Sequence, residues 1–396
     1  MKKKFFKYQA QTTNHPLALE ISHAEGSYIY DHTNKKYLDF VSGVSVSNLG
    51  HRNKIVSKAV KKQIDKYWHV MVYGEFVQEP TVKLCELLSE YLPRSLSNTY
   101  LTNSGTEAVE AAMKLAKRAT GRTKIIAAKN GYHGNTQGAM SIMGFEDRKR
   151  AYRPLLSDID FIEFNNYNDI NKIDNNTAAV FLETIQGGGG FITPINNYLK
   201  KIKEKCEKEN ALLILDEIQA GIGRTGKLFA FEHYNIIPDI LVYGKGLGGG
   251  FPIGALSSSK EKMGLFKKNP ILGHITTFGG HPVIASAALA TLTETLNSGV
   301  MNKIKKKENL IKRLLKHDLI KEIRGKGLML ALIMKNKKIA QELVRKSLVK
   351  GLILFWLLFE SKAVRITPSL TISEKEIKLG CKLIINTLNE INNNVD

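Results

Sequence analysis

Four short apolar runs, at residues 125–128, 178–182, 212–215 and 240–243, are set between Gly, Asn, Asp and Glu residues, and nothing else in the chain restricts its fold as much. Strands buried on both faces of a parallel sheet read this way. Helical patterns lie between them, as at residues 107–117, where Ala108, Ala111, Ala112 and Leu115 share one apolar face. The expected core is an α/β layer structure. After residue 283 the rhythm changes to a helix over 284–296, a strand over 327–333 and a helix over 339–350. We therefore divide the 396 residues into a large domain over 51–283 and a smaller one over 284–396, which the amino-terminal segment 1–50 joins.

Composition removes several classes of function. The longest uninterrupted apolar run, 352–359, falls far short of the ~20 residues that cross a bilayer, so no membrane role is expected. Lys2, Lys3 and Lys4 precede Phe5 and Phe6, but Gln9, Gln11 and Thr12 follow, which leaves no apolar stretch for a secretory signal. Cys85, Cys206 and Cys381 are few, odd in number and without Cys-x-x-Cys spacing. Neither a disulfide framework nor a metal site is indicated, and the cytoplasm is the expected compartment. The formal net charge of +21 comes from 46 lysines and only twelve arginines against 37 acidic residues. A base-reading surface favours arginine with interleaved aromatics, whereas residues 200–208 and 303–316 alternate Lys with Ile, Leu and Glu at helical spacing. These runs read as solvated helix faces, and no nucleic-acid partner is expected.

Ligands of an open α/β sheet sit beyond the carboxyl ends of its strands, and four such ends are chemically loaded. In Leu101-Thr102-Asn103-Ser104-Gly105-Thr106-Glu107 a strand turns into a helix, whose free amides with the Ser104 and Thr106 hydroxyls suit a phosphate. Taken alone, the same residues fit a simple helix cap better. Asp216 ends the 212–215 run, where an isolated buried carboxylate is too costly without a cation or donors; a protonated ring nitrogen would match it. Lys245 stands alone between Gly244 and Gly246, as expected of an amine that forms a Schiff base. Gly244, Gly246 and Gly249 also match the dinucleotide pattern G-x-G-x-x-G, but residues 251–256 do not start a helix and no acidic residue follows at the right distance. The fourth end, Gly131-Tyr132-His133-Gly134, offers an aromatic ring for a planar group, although such a pair by itself is more often a surface turn.

Together, and with Glu183-Thr184-Ile185-Gln186-Gly187, Thr276-Thr277-Phe278-Gly279-Gly280 and Arg365-Ile366-Thr367-Pro368, these motifs resemble the class III, ornithine/acetylornithine-type aminotransferases over nearly the whole chain. The resemblance implies a fold type I transferase: a large domain with a mainly parallel seven-stranded sheet, plus a smaller α+β domain. It also implies pyridoxal 5'-phosphate as cofactor, with Lys245 as its covalent partner and proton carrier and Asp216 facing the pyridine nitrogen. Ser104, Gly105 and Thr106 would grip the phosphate, helped by Thr277 from a neighbouring subunit, so that a homodimer shares its active sites. Tyr132 and His133 would lie against the ring, Glu183 would buttress the site and Gln219 would donate to the phenolic oxygen. Arg365 would take a substrate carboxylate, with Asn135 and Thr276 as further substrate contacts.

Four departures from the family pattern bear on substrate choice. Gly188 stands where the family usually has a Glu that neutralises the carboxylate-binding arginine, and Asn135 stands where an Arg often grips a second carboxylate. Thr184 replaces a Pro and His281 an Asn. The expected reaction moves an amino group by a ping-pong cycle between an acetylornithine- or ornithine-like donor and a 2-oxo acid, with glutamate and 2-oxoglutarate as one pair. Gly188 keeps open a donor reacting through its α-amine, and the shared electron sink keeps open an aminomutase or decarboxylase. A basic binding protein on an inactive scaffold is the reading from a different class, and it predicts loss of Lys245 or Asp216, both of which are present.

Overall fold

The computed structural model describes residues 1–393. Its centre is a seven-stranded sheet in the order Asn98–Thr102, Gly254–Ser258, Ile240–Gly244, Leu212–Asp216, Thr177–Glu183, Lys124–Ala128 and Ile159–Ile162. Gly254–Ser258 runs against both neighbours, and the other pairings are parallel. All four apolar runs are strands of this sheet, and Thr177–Glu183 is buried at every position because helices or loops cover both faces.

One of those helices shows how the sequence sets the local structure. Gly105–Thr120 starts where the Ser104 hydroxyl accepts from the Glu107 amide at 3.4 Å, and stops where Gly121 takes a left-handed φ of 68°. Its Ala-rich face, with Val109, Met113 and Leu115, packs on Ile125, Phe181 and Ile214 of the sheet. Each fully buried Val, Leu or Ile of that kind contributes about 1.5–3 kcal/mol. On the opposite face the core includes Ala285, Ala288 and Leu292, which lie on Pro282–Asn297, the helix that the sequence reading counts with the smaller domain.

Two smaller sheets complete the architecture. Ile21–Glu25, Tyr28–Asp31 and Lys36–Asp39 form an antiparallel meander, and Leu352–Ile353 joins its edge in parallel. Ile320–Lys326, Met329–Met334, Ala363–Ile366 and Phe355–Trp356 form an antiparallel sheet in that order. Both ends of the chain share one core, in which Leu38 and Phe40 meet Leu330, Ile366 and Leu388. The lysine-rich helix Ile304–Leu314 is solvated on one face as expected, but Lys307 and Glu308 are buried, with the Lys307 ammonium donating to the Leu370 carbonyl. Among the described residues no helix is long and apolar enough to cross a membrane, and no cluster of His, Cys, Asp or Glu is arranged to hold a metal.

Arg224 joins the large sheet to the smaller core. Its guanidinium is fully buried and donates to the carbonyls of Leu328, at 3.1 Å, and Pro368, and to the Asn48 side-chain oxygen. Among the described residues no carboxylate balances it, and burial drives its pKa down to about 9. Arg224→Ala would leave three buried acceptors unpaired and is expected to cost about 3 kcal/mol or more of stability. A urea midpoint equal to that of the native chain would remove Arg224 from this role.

Candidate active site

The carboxyl ends of five parallel strands open onto one cavity of about 600 Å³. Its walls bring together Ser104, Gly105, Thr106, Tyr132, His133, Asn135, Glu183, Asp216, Gln219, Lys245 and Arg365. Thr276 and Thr277 lie outside it within this chain: the Thr276 hydroxyl accepts from the Gly279 amide at 3.0 Å, and the exposed Thr277 offers its carbonyl to His69 at 2.9 Å.

Asp216 is buried at the mouth of its strand. One carboxylate oxygen meets His133 Nδ1 at 2.8 Å and the other accepts from the Ile218 amide at 2.9 Å. Among the described residues no Lys or Arg lies within ion-pair distance of it, so a basic ring nitrogen fits the need for a positive partner. The other side of the His133 ring, Nε2, is buried without a partner.

Lys245 has a φ of 40°, in the left-handed region that non-glycine residues enter at a cost of order 1–3 kcal/mol. The flanking glycines have a purpose the sequence did not disclose. A Cβ on Gly246 would press on the Asn48 amide, and one on Gly244 would come within 2.7 Å of the Ile253 carbonyl, so protein atoms already demand them. Desolvation lowers the Lys245 amine below its ordinary 10.5, Asp216 opposes this, and Arg365 adds to it. Glu183 is pushed up to about 7, chiefly by burial. Its two oxygens accept from the Tyr132 amide at 3.0 Å and the Gly187 amide at 2.7 Å, which fixes the Tyr132 backbone beside the cavity.

The phosphate-type end is the start of a sixteen-residue helix, where Ser104, Gly105 and Thr106 offer amides that a helix start leaves without intrahelical partners, beside the Ser104 and Thr106 hydroxyls. Gly105 has no room for a side chain, since a Cβ would lie 2.7 Å from Ile218 Cδ1. The Thr106 hydroxyl lies 2.8 Å from that of Thr136. At the other end Arg365 is buried, donates through Nε to the Trp356 carbonyl at 3.3 Å and keeps Nη1 unpartnered; burial lowers it to about 10. A buried guanidinium with a free N–H in a cavity is a receptor for a carboxylate. This donor and acceptor set fits pyridoxal phosphate: an anion-binding helix start, an amine, and a carboxylate in want of a protonated nitrogen.

Three departures now have physical reasons. The space beside Gly188 is filled by Phe359, whose ring carbons lie 2.5 and 2.7 Å from where a Cβ would stand. Thr184 donates its hydroxyl at 2.8 Å to the buried Glu217, which also accepts from the Ala230 and Phe231 amides. His281 caps the helix Pro282–Asn297 by accepting from the Val283 amide at 3.3 Å, a task Asn also performs. The fourth, Asn135, is exposed at the cavity edge. Sequence reasoning missed Val44, Val46, Phe251, Leu357 and Leu358 as walls of the cavity. Val44 has a φ of 66° beside Gly43 at 60°, and the Ser42-Gly43 pair is the local signal that could have found this turn. Ser45, in the same turn, accepts from the Gln219 amide at 3.4 Å.

Known proteins are similar to this chain over most of its length. The acetylornithine aminotransferase of Caldanaerobacter subterraneus subsp. tengcongensis is 37% identical over 399 residues, 97% of this chain and 98% of the relative. The [LysW]-aminoadipate semialdehyde/glutamate semialdehyde transaminase of Sulfolobus acidocaldarius is 39% identical over 320 residues, 79% of this chain and 81% of the relative. The solved ornithine aminotransferase of Toxoplasma gondii superposes with a TM-score of 0.92 at 28% identity, covering 100% of this chain and 95% of its own. With residues 8–388 matching the family Aminotransferase class-III, the chain belongs to the class III aminotransferases and is a pyridoxal-phosphate-dependent transaminase.

Proposed function

We propose that this transaminase takes its amino group from an acetylornithine- or ornithine-like donor and passes it to 2-oxoglutarate, giving glutamate, in a ping-pong cycle. The observation that carries the reading is Arg365, with its Nη1 unpartnered, sharing a cavity with Lys245 and Asp216. Relatives named for acetylornithine support the donor. A second reading, a donor reacting through its α-amine, is favoured by Phe359 beside Gly188, because an apolar ring there offers Arg365 no charge to turn toward.

Bound pyridoxal phosphate supplies an aldehyde that joins an amine, and a ring that takes up the electron pair released when a substrate C–H bond breaks. The chain's own groups do the rest. Ser104, Gly105 and Thr106 would hold the phosphate, and Asp216, held by His133, would favour a protonated ring nitrogen. Lys245 would be the covalent anchor and the base toward the substrate carbon, and its lowered pKa leaves more of the amine neutral. Arg365 would orient the substrate by its carboxylate, Asn135 would add a polar contact, Gln219 would donate toward the phenolic oxygen, and Tyr132, supported by Glu183, would help exclude water.

We further propose a cytoplasmic homodimer. Val77 and Ile271 are 92% and 79% exposed, and with Phe76, Leu272 and Ile275 they surround a second cavity of about 630 Å³. A second copy covering this apolar face would bring the partner's Thr277 to the phosphate site and Thr276 within reach of substrate.

Acetylornithine, ornithine, alanine, aspartate and 4-aminobutyrate, added singly to the holoenzyme, should differ in how they discharge its visible absorption, with acetylornithine or ornithine fastest; failure of both would remove that donor class. Borohydride should fix a pyridoxyl group on the native chain and none on Lys245→Ala, and labelling at another lysine would overturn the anchor. Sedimentation equilibrium should give twice 44.3 kDa, and a monomer at working concentrations would sink the shared site.

A further inference from the structure

A second guanidinium, exposed and outside the cavity lining itself, is tied to one of the lining residues, Leu358. Arg148 lies over the Phe359 ring, 5.8 Å from its centroid, and its Nη2 reaches the Leu358 carbonyl at 3.4 Å. The platform is rigid: Phe359 stacks on Phe145 at 4.6 Å and 11°, faces Tyr132 at 6.2 Å, and donates its amide to the Gly188 carbonyl at 3.0 Å. Buried Lys149 pins the same segment, with its ammonium on the Met143 carbonyl at 2.8 Å and 4.3 Å from the Phe161 centroid.

The nearby charges leave Arg148 alone. Glu146 is gripped in bidentate fashion by Arg153, at 3.0 and 2.9 Å, and Asp147 makes no ion pair with Arg148. Among the described residues no carboxylate lies within 4.0 Å of it. Its charge still reaches the cavity, where it opposes the upward push of burial on the Tyr132 hydroxyl. Arg365 and Arg148 hold the carbonyls of residues 356 and 358, which lie at most ~7 Å apart along an extended chain. Between them Leu357 and Leu358 form an apolar wall.

Two unbalanced guanidinium groups on either side of an apolar stretch suit a short chain with an anion at each end. We infer that Arg148 is a specificity-determining residue that binds the distal carboxylate of a dicarboxylic substrate, while Arg365 holds the carboxylate next to the reacting carbon. This deepens the proposed use of glutamate and 2-oxoglutarate and rests on that reading. Arginine suits the task because its planar fork takes a carboxylate through two parallel hydrogen bonds and keeps its charge at any working pH.

The test compares Arg148→Gln, Arg148→Lys and Arg365→Ala with the native holoenzyme. For Arg148→Gln, the ratio of kcat/KM for 2-oxoglutarate to that for pyruvate should fall about tenfold or more, with the change in KM. Arg148→Lys should recover part of it, and Arg365→Ala should weaken both oxo acids. Calorimetric titration with unreactive glutarate and butanoate should show the Gln variant losing affinity for the first far more than for the second. A ratio and a glutarate affinity within twofold of the native values overturn the inference about Arg148 while leaving a transaminase. A native enzyme that turns over no 2-oxo acid overturns the parent reading instead.

Discussion

A negative charge at the closed end of an apolar strand is the constraint around which this molecule is arranged. Asp216 follows four residues with no polar side chain and sits where water has little access. His133 and one amide orient its oxygens but bring no fixed positive charge. The site therefore favours a protonated nitrogen, and a pyridine ring offers one in the plane where electrons must be drawn. Lys245, one strand over, is held in a left-handed turn and starved of water by the same burial. The two groups need opposite things from one dry cavity, a cation for the first and a lost proton for the second, and in the proposed mechanism a single aldehyde-bearing ring would supply both.

Much of this was legible in the sequence because buried parallel strands advertise themselves. The four apolar runs became strands, and the polar residues after them became the cavity. The antiparallel strand Gly254–Ser258 was foreshadowed only by the absence of a helix start after the glycine run. The hairpin strand Ile320–Lys326 was not legible, since its KEIRGK alternates charges without a buried face. The turn at Val44 was marked only by the Ser42-Gly43 pair before it, because a β-branched residue at positive φ contradicts its own local preference and is set by the surrounding packing.

Three of the four substitutions that set this chain apart from its family pattern are informative because the structure compensates each in a different way. Thr184 gives a buried glutamate one of its donors. His281 takes over a cap. Gly188 is compensated by bulk, with an aromatic ring sliding into the place of a side chain and joining Phe145 and Tyr132 in one rim. A change from a charged side chain to a neighbouring ring alters what the cavity admits without altering what it does to a C–H bond.

The longest apolar run, residues 352–359, is divided among three neighbours: Leu352–Ile353 pairs with Lys36–Asp39, Phe355–Trp356 pairs with Ala363–Ile366, and Leu357 and Leu358 wall the cavity. One of those partners is synthesised some three hundred residues earlier. A growing chain must carry that first hairpin unmatched almost to the end of translation, and then close a loop spanning nearly its full length before its stickiest segment is covered. Yield in a heterologous host should accordingly depend on chaperone supply more than on the intrinsic stability of either core.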